Sequence, residues 1–137
     1  MDIPLWSIVT LATELVVTAS VLAIIWRAYA TGRFMTMFAW WVLGYEFLFN
    51  VSYMASREAH AATRTLDPYL TGLAIFHGVF SLVMFLSLVI FFFVAWRRYG
   101  RGENFFAIHP RFTVLFVTAW SISILSGVLL FVQLYLL

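Results

Sequence analysis

Apolar residues fall into four long stretches, at 4–26, 34–56, 68–96 and 110–137, separated by short polar connections. A helix rises about 1.5 Å per residue, so about 20 apolar residues cross the roughly 30 Å of bilayer hydrocarbon, and each stretch meets that length. The ends carry local signals. Gly32 stops the first helix, Asp67-Pro68 supplies a cap and a first-turn proline to the third, Gly100 and Gly102 stop it, and Pro110 opens the fourth. The pattern predicts an all-α membrane protein, a single domain over residues 1–137 built as an up-down bundle of four transmembrane helices.

Composition agrees with that reading. The chain is 64% hydrophobic and only 10% charged, against roughly 45–50% and about 25% in soluble domains. The absence of cysteine removes disulfides, thiolate metal sites and iron–sulfur clusters from consideration. All basic residues are arginine, and a net charge of +2 dispersed along the chain excludes nucleic acid as the expected partner. The opening MDIPLWSIVT lacks the basic region and cleavage site of a secretory leader, so the first stretch is read as a span.

Arginine placement adds a direction. Arg27, Arg33, Arg97, Arg98, Arg101 and Arg111 belong to the side shared by the 1–2 and 3–4 connections, whereas Arg57 and Arg64 belong to the 2–3 connection. The positive-inside rule makes the six-arginine side cytoplasmic, which predicts a multi-pass plasma-membrane protein with both termini outside. Trp6, Trp26 and Trp96 fit interfacial belts. The two connections on the arginine side begin alike, WRAYATG and WRRYGRG. Either a duplicated hairpin or two independent solutions to one interface problem explains this, each with an aromatic anchor, snorkelling arginines and a glycine stop.

Three ionisable residues interrupt the apolar stretches. Glu14 lies ten residues from Pro4, Glu46 ten from Ser56 and His77 nine from Pro68, which puts each roughly 14–15 Å deep, near the bilayer midplane. A charge there costs about 2.5–3.5 kcal/mol on insertion scales, so the three are expected to face inward and satisfy one another. Helical spacing extends each into a polar stripe: Thr10, Glu14 and Thr18; Glu46 and Asn50; His77 and Ser81. The fourth stretch offers Ser121, Ser123 and Ser126, with Ser123 and Gly127 forming a small-xxx-small pair that permits close helix approach. Two carboxylates and an imidazole suit a divalent metal such as zinc, iron or manganese, whose charge would offset that of the buried acids. The plainer reading is interhelical hydrogen bonding alone.

The remaining histidines sit at other levels. His60 falls in the outer connection, about 14 Å out of level with His77, so a bis-histidine haem requires the loop to fold inward, while a haem on His77 alone stays open. His109, between Ile108 and Pro110 and beside Arg111, reads as interfacial and structural, or as a contact for phospholipid or a partner. Tyr45, Tyr53 and Trp120 are candidates to line the site cavity or simply to pack.

Tyr53 and His60 seven residues later, then Tyr69, His77 in IFHGVF, His109 in IHPRF, Trp120 and the closing SGVLLFVQLYLL together resemble the YozB/CtaM family of small four-helix membrane proteins encoded beside haem-copper oxidase genes. The resemblance covers roughly residues 53–137. It implies a role in maturing or supporting a respiratory oxidase, with His60, His77 and His109 as functional positions and oxidase subunits as partners. The first half departs from the family pattern: TGRFMTMFAWW lacks the histidine that members commonly carry, and Glu14 and Glu46 are additional.

These readings lead first to a metal- or haem-binding accessory protein of a respiratory oxidase. A second function class is a proton or small-solute pathway through Glu14 and Glu46, which in so short a chain calls for a homo-oligomer. A third is an intramembrane metal-dependent enzyme acting on a lipid or quinone, and a fourth a structural subunit.

Overall fold

In the computed structural model the described residues are 3–60 and 67–137, with backbone alone described for 53–60. The chain is all-α. Five helices form among the described residues: α1 (Leu5–Thr31), α2 (Thr36–His60), α3 (Pro68–Gly100), α4 (Phe105–Ile108) and α5 (Pro110–Tyr135). Of these, α1, α3 and α5 are long and apolar enough to cross a membrane. Helix α2 is nearly as long at 25 residues, but Glu46 and Asn50 interrupt its apolar run.

Local signals end the helices where the sequence placed them. Gly32 takes the left-handed conformation (φ 70°) and its N–H donates to the Ala28 carbonyl, a backbone geometry that glycine adopts without steric cost. The Asp67 carboxylate accepts from the Leu70 N–H at 2.7 Å, ahead of Pro68 in the first turn. Elsewhere the helices outrun expectation. Helix α1 continues five residues past Trp26 and α3 four past Trp96, because nothing in those last turns breaks the backbone ladder before a glycine does.

The short α4 was not expected; its segment read as plain connection. Asn104 caps it through Oδ1, which accepts from the Ala107 N–H at 3.4 Å and from the Tyr99 hydroxyl at 2.5 Å. Asn104 Nδ2 donates to the Tyr29 carbonyl at 3.0 Å, which ties the end of α1 to the same turn. Phe105 and Phe106 are thereby driven into the core, where Phe106 is fully buried. Four residues alone do not stabilise a helix; burial of the two rings holds this one.

Around the bundle α1 packs on α2 and α5, and α3 packs on α2 and α5. Neighbours run antiparallel, as the pairs Ser7–Tyr135 and Thr18–Trp120 show for α1 with α5, and His77–Ser126 and Ser81–Ser123 for α3 with α5. Helices α1 and α3 are therefore diagonal partners, separated by α5 on one side and α2 on the other. The half of the bundle toward the arginine-rich connections is filled by Val21, Ile24, Leu88, Phe92, Phe106 and Phe116. The buried polar side chains, among the described residues, are Glu46, Ser123 and Ser126.

Candidate functional site

Glu14 and His77 belong to the diagonal helices, yet both rest against Gly127 of α5. A β-carbon on Gly127 would lie 2.7 Å from His77 Cε1, 3.1 Å from His77 Nε2 and 3.4 Å from Glu14 Oε2. Ordinary carbon contacts begin at about 3.5 Å, so any side chain at this position would displace the imidazole. The missing side chain is what lets two diagonal helices meet across the third. In the sequence Gly127 stands out only as half of a small-xxx-small pair; that its bare backbone seats a ring is visible only with His77 in place.

Hydrogen bonds orient the imidazole. His77 Nδ1 lies 2.9 Å from Ser126 Oγ and 3.3 Å from Ser81 Oγ. Ser126 Oγ already directs its single hydrogen to the Ser123 carbonyl at 2.6 Å. A hydroxyl so engaged accepts from His77, which favours the tautomer with its proton on Nδ1. Nε2 is on the edge toward Gly127 and Glu14. Ser81 Oγ also pairs with Ser123 Oγ at 3.1 Å, which closes a belt of three serines around one side of the ring.

The Glu46 carboxylate is buried at 8% exposure. Oε1 accepts from Asn50 Nδ2 at 3.1 Å, while Oε2 is buried without a hydrogen-bond partner among the described residues. Glu46 and Glu14 are within electrostatic range of each other. The expected triad is thus only partly assembled: the structure brings Glu14 and His77 onto one glycine, and Glu46 stays with Asn50. Among the described residues, no three His, Asp or Glu side chains come together as a metal cage.

A cavity of about 80 Å³ adjoins the site, lined by Ser7, Thr10 and Glu14 of α1, His77 of α3, and Gly127 and Tyr135 of α5 among others. A single water needs about 10–15 Å³ on this measure, so several fit. Ser7, Thr10 and Glu14 climb successive turns of α1, and Ser7 Oγ meets the Tyr135 hydroxyl at 2.9 Å at the far end. In the opposite direction the apolar core closes the way.

Other candidates sit elsewhere. Thr18 accepts from Trp120 Nε1 at 3.2 Å and does not border the cavity. Thr10 borders it, but its hydroxyl donates to the Trp6 carbonyl at 2.7 Å. Tyr45 faces outward at 49% exposure, stacked on Phe49, instead of lining the site. Ser121 donates to the Val117 carbonyl of its own helix. His109 joins α4 to α5; its ring lies against Phe105 and Phe112, and its carbonyl accepts from Thr113. The side chains of Tyr53, Arg57 and His60, together with Arg64, lie outside the described residues.

Compared with known proteins, the chain matches no family model, no curated protein and no solved structure.

Proposed function

We propose that this chain is a four-span membrane protein, with α2 as the fourth span, and that its Glu14–His77 site holds one divalent transition metal ion, zinc, iron or manganese. The observation that carries the reading is the shared seat on Gly127: a carboxylate oxygen of α1 and the Nε2 edge of an imidazole of α3 both rest against the same glycine of α5. Oxygen and nitrogen donors of this kind suit such ions, and the serine belt supplies the outer hydrogen bond that fixes a ligating histidine.

Charge supports a cation. Glu14 and Glu46 sit near each other inside the bundle, whereas Arg27, Arg33, Arg97, Arg98, Arg101 and Arg111 belong to its other end. Two carboxylates buried close together repel when both are ionised, and a bound ion supplies the missing positive charge. Size favours an ion with its waters over a haem, since about 80 Å³ is well below the roughly 300–1,000 Å³ of pockets that enclose large organic ligands.

Two protein donors leave most of the coordination shell to water or to a partner's side chain. Such an open shell fits a protein that takes up an ion and passes it on, in keeping with the resemblance to accessory proteins of haem-copper oxidases. The sealed apolar half supports a blind site over a pathway through the membrane. Entry is along Ser7 and Thr10, from the end where α1 begins and α5 finishes; by the arginine count this end is extracytoplasmic.

Elemental analysis of detergent-purified protein, loaded separately with Zn²⁺, Mn²⁺ and Fe²⁺ and then dialysed, tests this. We expect about one ion per chain for at least one metal, lost in Glu14→Gln and in His77→Ala. Metal-free protein with intact helical circular dichroism, or retention unchanged in both variants, defeats the proposal. A visible absorption spectrum of the same sample reports any haem.

A further inference from the structure

At the opposite end of the bundle, α2 and α3 enclose an apolar crevice of about 250 Å³ lined by Phe34, Trp40, Leu43, Phe92, Phe93 and Trp96 among others. Trp40 and Trp96 span it edge to face, with ring centres 5.8 Å apart. Trp40, Phe93 and Trp96 are each more than a third exposed, so the crevice opens on the bundle's outer surface.

Its mouth is cationic. The Arg97 guanidinium lies over the Phe93 ring, 5.9 Å from its centre, and Arg33 directly precedes Phe34. The acidic side chain described at this end, Glu103, is engaged by Arg98 at 3.1 Å. Arg33 and Arg97 are thus left to attract an anion beside an apolar slot, at the level where tryptophan and arginine mark a membrane interface.

We infer that this crevice binds an anionic phospholipid, one acyl chain lying between α2 and α3 and the phosphate held by Arg33 and Arg97. The lining argues for a lipid chain over a partner helix. Helix pairs in membranes approach through small residues, whereas apart from Ala39 this crevice is walled by large aliphatic and aromatic side chains. Flexible methylenes fill such a slot; a second helix backbone is held off by it. The site is independent of the metal reading, because it shares no residue with the Glu14–His77 cavity.

Native mass spectrometry of the full chain released from detergent tests the inference, using phosphatidylglycerol and phosphatidylcholine with identical acyl chains. Near-surface basic residues each contribute about 1 kcal/mol toward anionic lipid, which is about fivefold per arginine. The expected result is severalfold stronger retention of phosphatidylglycerol, abolished in the exposed double variant Arg33→Gln/Arg97→Gln with its helical signal intact. Val89→Trp, which fills the crevice wall, should weaken both lipids alike. Equal retention of the two lipids overturns the inference, as does a preference that survives the double variant. Displacement by inorganic phosphate alone reduces the site to a headgroup contact, and unchanged retention in Val89→Trp removes the crevice from it. Loss of lipid on forming a dimer assigns the crevice to a second copy.

Discussion

The imidazole of His77 lies across Gly127 so closely that a β-carbon there would stand 2.7 Å from Cε1. A ring from α3 occupies the volume of a side chain that α5 lacks, and the Glu14 carboxylate of α1 reaches the same spot. The site depends on that vacancy as much as on its two ionisable groups.

Gly127→Ala should therefore destabilise the protein despite alanine's better helix propensity. Overpacking of a filled interior costs about 1–3 kcal/mol, and we expect a loss in that range by thermal or denaturant unfolding in detergent. Gly78→Ala, one residue beyond His77 where a β-carbon meets nothing within 4 Å, should be neutral or slightly stabilising. Equal behaviour of the two variants would contradict the seat described for His77.

Ser126→Ala removes the acceptor that fixes the ring tautomer. Nitrogen-15 spectra of labelled histidine should show Nδ1 protonated and Nε2 as the lone-pair nitrogen in the parent chain, and a mixture of tautomers in the variant. The stability loss should be small, about 0.5–1.5 kcal/mol for one hydrogen bond. A parent spectrum with the proton on Nε2 would reverse the assignment.

Trp120→Phe keeps an aromatic ring between α1 and α5 but loses the donor to Thr18 Oγ1. Interhelical hydrogen bonds in membranes average about 0.6 kcal/mol, so a modest drop is expected. Thr18→Val should cost more, because it leaves the indole N–H of a buried tryptophan without that acceptor. Comparison of the two unfolding midpoints checks the order.

Asp67→Ala should fray the start of α3 by about 0.5–2 kcal/mol, while Asp67→Asn retains most of the cap. Hydrogen exchange at the Leu70 amide reads this directly, since that N–H is the capped donor.

Cap, stop and depth were legible in the sequence because each depends on residues adjacent in the chain. Asp67 and Gly32 act within one turn, and the common height of Glu14 and His77 follows from a constant rise per residue. Rotation about each helix axis was not legible. These helices are apolar on nearly every face, so no amphipathic stripe tells which side turns inward. Hence Tyr45, a candidate for lining the cavity or for packing, faces outward, and Thr18 serves Trp120.

What remained belonged to neighbours far apart in sequence. The partners of Glu46 were local enough to anticipate in Asn50, but whether it would join Glu14 and His77 depended on how α2 lies beside α1. The four-residue α4 is held by burial of Phe105 and Phe106, a contact between elements that no local propensity encodes. Gly127 carries the same lesson: a residue without a side chain has no chemistry to read, and its meaning comes entirely from what the folded chain presses against it.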